Sequence, residues 1–314
     1  LLALVAAFGW FYRLKPIYEG DPDRYYHMAL SRLAVDQGTI FLRSVPQVEN
    51  LGWGDYFLDK EFLFHQVTNL GYLLGGNSGV ELSSFFCALL AVIVFYLYAA
   101  GRMPVYGAAG LVLLTFASPY FAFRMALLRP HTLAVLTFLL MSLSVLARRP
   151  VLVALTSLLF VLSYHAFYVP LLCMGVVGAL SFLEQEKDRK ALREVFFYGT
   201  AGCVAGLLLN PYFPGNIFLA FIHARIPGLM KGELRNAQFG DELIPLRADQ
   251  YIEVFSFPLV VMFLSLFLLG LDLGRREEAA RRARYRLFYL LAVGLFFLLV
   301  SYRIARAGEY LIPL

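Results

Sequence analysis

The chain has 314 residues, 60% of them hydrophobic, and a mean hydropathy of +0.68. A soluble domain carries roughly 45–50% apolar residues, so this composition excludes an ordinary soluble protein and points to an integral membrane protein. The net charge of +5 and pI near 9.1 would suit a nucleic-acid binder, but basic loops on one side of a membrane explain the same balance, and nucleic acid is set aside.

Charged residues fall in short clusters between apolar runs of about 15 to 22 residues, the pattern of a polytopic all-α transmembrane helical bundle. About nine spans in one transmembrane domain, residues 1–314, are expected. The opening LLALVAAFGWFY lacks an initiating Met, a basic n-region and a small-residue cleavage site, so residues 1–14 read as the remainder of a first span. With another apolar segment starting at the far end, the chain is expected to be a portion of a longer protein.

A polar loop, residues 15–79, comes next. Within it Asp21 is a good N-cap and Pro22 a good first helical residue, so a helix over 21–38 is predicted, ended by Gly38. Asp23 then lies in the first turn, and Tyr26, Leu30, Leu33, Ala34 and Gln37 form a stripe able to lie against a membrane domain. An irregular piece over 41–57 precedes a second helix, 59–74, closed by Gly75 and Gly76. Further spans are predicted over 80–100, 105–118, 131–147, 151–162, 169–183, 195–209, 254–273 and 287–302, with a second sizeable loop over 212–250. Cys87, Cys173 and Cys203 sit singly inside apolar runs, which makes them packing residues and leaves no CxxC or disulfide framework.

Charge orients the bundle. If loops alternate sides, one side holds thirteen lysines and arginines: Arg102, Arg148, Arg149, Lys187, Arg189, Lys190, Arg193 and six arginines within 275–286. By the positive-inside rule that side is cytoplasmic, and the 15–79 loop is extracytoplasmic. The same assignment brings all five histidines, His27, His65, His131, His165 and His223, to the outer side or its boundary.

Four constellations on that side have chemistry to offer, each beside a plainer explanation. Asp23 and His27, four apart, share a helix face and could act on one substrate, whereas Asp21 reads as a cap. Asp59 and Glu61, with His65 four residues beyond Glu61, could face a common cation or mark a solvated first turn. Arg124, Arg129 and His131 in one outer loop, and Arg303 and Arg306 after the last span, suit phosphate because a guanidinium donates two bonds at once; arginines flanking spans also snorkel, and Arg306 with Glu309 could be a plain ion pair. Tyr164, His165 and Tyr168, with Asn210, Pro211 and Tyr212, end spans on the outer side as pocket lining or as interface aromatics and a helix stop.

The Asp-x-Tyr-Tyr-His run at 23–27, directly after a first span, resembles the GT-C superfamily of membrane glycosyltransferases, in particular the oligosaccharyltransferase catalytic-subunit branch. DKEFLFH at 59–65 looks like the second acidic motif of such enzymes, and RIARAGEYLIP at 303–313 is similar to the Arg-rich outer segment late in bacterial members. The resemblance implies inverting transfer of sugar from a polyprenyl-phosphate-linked donor to a lipid, glycan or protein acceptor, on the extracytoplasmic face of a bacterial plasma membrane. Carried over, Asp23 would be the first-loop acid that orients or deprotonates the acceptor, Asp59 or Glu61 the second acid, and an outer arginine the donor phosphate ligand. Mg2+ or Mn2+ would fall to Asp23, Asp59 and Glu61, with the need for any metal left open. No WWD-type acceptor-peptide motif is present. Two other readings stand beside this one: a transporter or flippase for lipid-linked sugars, which calls for broken helices and mid-membrane charge, and a non-catalytic membrane scaffold subunit.

Overall fold

Helices begin and end in this chain where local chemistry allows. The structure, a computed structural model, describes residues 9, 21–45, 56–117, 119–184, 186–229, 260 and 278–303. Within them α1 is Pro22–Asp36, capped by the Asp21 side chain and closed by a left-handed Gly38 (φ 60°). The closing bonds run from Gly38 N–H to the Val35 carbonyl and from Thr39 N–H to the Ala34 carbonyl, the paired pattern a glycine after the last turn permits.

The next helix, α2, is Phe62–Ala100, and its expected start at residue 59 is delayed. Asp59 Oδ1 accepts the Glu61 N–H at 2.8 Å, making a turn of the acidic stretch before the helix. At Gly75 and Gly76 the helix breaks, with Gly76 at φ 57° and ψ −144°, a conformation open to glycine alone. Gly71 and Gly79 lie in contact, so close that a Cβ on either would overlap the other's carbonyl. Eight residues of straight helix would separate them by about 12 Å, so α2 is a V of two arms, 62–74 and 77–100.

The remaining helices are α3 (Val105–Ala117), α4 (Pro119–Ala126), α5 (His131–Leu146), α6 (Pro150–Ser163), α7 (Tyr168–Leu183), α8 (Glu186–Leu209), α9 (Gly215–Leu229) and α10 (Glu278–Arg303). There is no strand among the described residues. α8 packs along both α6 and α7, α5 lies against α2 and α6, and α10 reaches α7. One apolar core, including Phe64, Phe138, Phe160, Met174 and Phe297, runs through the bundle, and a smaller one of Leu30, Ala34, Leu42, Val45, Phe57 and Tyr212 fixes α1 to its loop.

Among the described residues two helices are long and apolar enough to cross a membrane, Phe62–Ala100 and Asp188–Leu209, and four shorter ones are apolar: His131–Leu146, Pro150–Ser163, Tyr168–Leu183 and Tyr285–Leu299. Of the nine expected spans, those over 1–14 and 254–273 lie almost wholly outside the described residues, and the other seven coincide with helices. The break in α2 leaves the 77–100 arm as its longer unbroken apolar stretch and keeps the 62–74 arm beside α1.

The described connections meet in two groups. Residues 21–45 and 56–61 meet the 127–130, 164–167 and 210–214 connections through Asp21 to Arg129, Glu61 to His165 and Tyr212 to Leu42. Arg148 meets Asp188 and lies over the Tyr285 ring, joining three basic connections at the opposite end.

Candidate functional site

Asp21 does more than cap. Its Oδ1 accepts the Asp23 N–H at 3.3 Å, and its carboxylate also takes two bonds from Arg129, Nη2 at 2.7 Å and Nε at 3.1 Å. Arg129 Nη1 lies 3.3 Å from Asp23 Oδ2. The two acids differ in exposure, with the Asp21 side chain 9% accessible and that of Asp23 50%, so one is the buried anchor of the guanidinium and the other its partner at the rim. Asp23 therefore meets Arg129, from 106 residues away in sequence, where a neighbour four residues on, His27, was the expected companion.

His27 faces inward. Its Nδ1 lies 2.9 Å from His65 Nε2, and His65 Nδ1 lies 2.8 Å from Asp59 Oδ2, a buried chain of carboxylate, imidazole and imidazole. With Asp59 ionised, His65 donates from Nδ1, accepts at Nε2 from His27 Nδ1–H and leaves His27 Nε2 basic, a tautomer assignment that follows from the bond network. Burial, helped by the neighbouring His65, holds His27 well below the usual imidazole range. For His65 burial acts in the same downward direction, but Asp59 outweighs it and raises the imidazole. One histidine is thus kept neutral and the other readily charged.

Glu61 closes the cluster from the loop. Its Oε1 lies 3.4 Å from His165 Nδ1 and 3.9 Å from Lys60 Nζ. Burial would raise this carboxyl, yet Lys60 and His165 together hold it well below the usual range, so it is anionic in a dry setting. Two buried hydroxyls fasten the floor: Ser31 Oγ donates to Thr68 Oγ1 at 2.8 Å, and Thr68 Oγ1 donates to the His65 carbonyl at 3.1 Å. Tyr26 stands edge-on to His27 and His65, and burial with Asp59, Glu61 and Asp23 around it pushes its phenol well up, so it stays protonated.

The other expected residues are spread more widely. Arg124 sits on α4 and not in a loop, buried, its carbonyl bonded to His131 Nε2; His131 is the buried first residue of α5. His165 joins the site through Glu61. The α10 backbone reaches Arg303, while Arg306 and Glu309 lie outside the described residues. The stripe on α1 is rotated toward His27, Met28, Leu30, Ser31 and Ala34, leaving Gln37 exposed.

Asp23, Asp59 and Glu61, the expected oxygen set for Mg2+ or Mn2+, do not converge. The group among the described residues whose ligand atoms lie within 4.8 Å of one another is His27, Glu61 and His65. The sequence spacing pairs Glu61 with His65 and leaves His27 with Asp23, whereas the fold brings His27 to His65. Sequence reasoning missed the fastening role of Ser31 and Thr68, for which no motif exists.

Chemically the end of the bundle offers an exposed carboxylate beside an arginine, above a buried acid and imidazole cluster. No family model matches the chain, and neither the curated proteins nor the solved structures contain a match to it.

Proposed function

We propose that the chain is an integral membrane glycosyltransferase of GT-C-like architecture, transferring sugar from a polyprenyl-phosphate-linked donor on the extracytoplasmic face with inversion. A membrane setting is supported by apolar side chains that stay exposed on the described helices. Only 44% of the most apolar window of Phe62–Ala100 and 33% of that of Asp188–Leu209 is buried, and Leu82, Phe86, Leu90 and Leu97 are exposed along α2. Contiguous apolar surface of that kind is stable in lipid and rare in water.

The observation that supports transfer is the pairing of Asp23 with Arg129 at the rim. In this reading Asp23 orients the acceptor hydroxyl and takes its proton as oxygen attacks the anomeric carbon. The bond from that carbon to the donor phosphate breaks on the opposite side, its electron pair leaving with the phosphate. Arg129, held from behind by Asp21, exchanges its contact with Asp23 for the phosphate and steadies the departing charge. Asp59 or Glu61 is the second acid of the site. Arg124, Arg303 and Arg306 remain further candidates for the phosphate, and the acceptor is a lipid, glycan or protein.

The test is sugar transfer from a labelled lipid-linked donor by the reconstituted chain. Asp23→Asn is expected to lose on the order of 10²–10⁴ in rate while still binding donor, and Arg129→Lys to raise KM for donor because the fork is lost. An Asp23→Asn protein that turns over like the parent refutes the assignment. A carrier for lipid-linked sugars is the second reading, favoured by the broken α2; it predicts donor movement across liposomes with no new glycosidic bond.

A further inference from the structure

We infer that His27, Glu61 and His65 form a binding site for one borderline divalent transition ion, zinc by default, and not for the hard cation that the GT-C resemblance implies. The three ligand atoms lie within 4.8 Å of one another and all three residues are buried. They come from two pieces of chain, His27 from α1 and Glu61 with His65 from the cap and first turn of α2, so the set of three exists only once α1 has docked on that helix start.

Donor chemistry selects the ion. Two imidazoles and one carboxylate suit zinc, iron, nickel or copper, whereas magnesium asks for oxygen throughout. An ion with bonds of about 2.0–2.1 Å in tetrahedral geometry holds its ligand atoms about 3.4 Å apart. His27 Nδ1 and His65 Nε2, 2.9 Å apart around a proton, need part by only about half an ångström for a metal to replace that proton.

The surrounding contacts are those a metal site uses. His65 gives its other nitrogen to Asp59 at 2.8 Å, which fixes the ring so that Nε2 faces His27 and increases its basicity as a ligand. Asp59 is in turn tied to the Glu61 N–H at 2.8 Å, linking the outer carboxylate to the third ligand's backbone. A dication would also balance the two buried carboxylates, Asp59 and Glu61, which now rely on Lys60 and the imidazoles. Three protein ligands leave at least one position for an exogenous oxygen, the arrangement of reactive and not purely structural zinc sites.

The inference does not depend on sugar transfer, because its test reads metal directly. The full chain, purified without a histidine tag and treated with chelator, is titrated with Co2+ and Zn2+. One equivalent is expected, with Co2+ giving ligand-field bands of low coordination number, displaced by Zn2+ and untouched by excess Mg2+. In the Cu2+-loaded parent, pulsed EPR should record two coordinated imidazoles. His65→Gln and His27→Gln should abolish stoichiometric binding, and Asp59→Asn, which leaves all three ligands, should weaken it about 10–100-fold. Absence of a saturable Co2+ spectrum from the folded parent overturns the proposal, as does an imidazole count of none. Those two readings need no variant, so they decide the matter even if a histidine substitution prevents folding. Displacement of Co2+ by Mg2+ at comparable concentration would also overturn it.

Discussion

Replacing Asp21 with asparagine separates two jobs that one carboxylate performs. Asparagine caps a helix about as well as aspartate, so α1 keeps its start and the cap change is worth only a few tenths of a kcal/mol. The Arg129 contact fares differently. Both side chains are largely buried, 13% and 9% accessible, and removing one partner of a buried pair costs about 3–5 kcal/mol because the remaining charge loses its buried counter-ion. Asp23 stays 3.3 Å from Nη1 and recovers part of this, but it is half exposed and acts at the level of a surface pair, about 0–1 kcal/mol. The expected net destabilisation by Asp21→Asn is therefore about 2–4 kcal/mol. Asp23→Asn should cost no more than about 1–2 kcal/mol, combining a surface pair with the loss of a first-turn dipole partner. The assay is equilibrium unfolding of the detergent-solubilised chain, with Arg129→Gln completing a double-mutant cycle. Coupling between positions 21 and 129 should reach about 2 kcal/mol. If Asp21→Asn unfolds within about 0.5 kcal/mol of the parent and the cycle shows no coupling, Asp21 is a cap alone and the anchoring of Arg129 is wrong.

The break in α2 makes a second claim: Gly76→Ala, forced into φ 57°, should destabilise by about 1–3 kcal/mol in the same unfolding assay, whereas Gly75→Ala, at φ −160°, should cost less. Equal losses at the two positions would mean that the left-handed turn is not what the glycine is there for. For orientation, cysteine at Gln47 should react with an impermeant reagent from outside the cell and cysteine at Ala279 should not; the reverse labelling would overturn the sidedness argued from the thirteen basic residues.

How legible this was depended on the range of the interaction. The start and end of α1 follow from Asp21, Pro22 and Gly38, all local signals, and the helical class follows from apolar runs of the right length. Glycines at 75 and 76 mark a stop in the sequence, yet nothing local says that the helix resumes at once and folds back with Gly71 on Gly79. Spacing on a helix nominated Asp23 with His27 and Glu61 with His65, because i to i+4 neighbours are all that a one-dimensional pattern can offer. The actual partners, Arg129 for Asp23, His65 for His27 and His165 for Glu61, are set by how α1 and the 62–74 arm dock, which is a property of burial over the whole bundle. Arg124 was misplaced for a related reason: a charged residue in an apolar stretch reads as a loop, while in the fold it is covered on α4.

The Asp21–Arg129 contact also imposes an order on synthesis. The two residues are 108 positions apart, and at about 5–20 residues per second the ribosome delivers the arginine on the order of 5–20 s after the aspartate. Glu61 must wait comparably long for His165. Throughout that interval the first-loop acids have no distant cations, and burying them early would strand charge. Asp21, Asp23 and Glu61 must therefore stay solvated while the connections that carry their counter-charges are made, and their final docking belongs to the end of assembly. A nascent chain released before residue 165 would hold α1 and both arms of α2 but not the closed cluster.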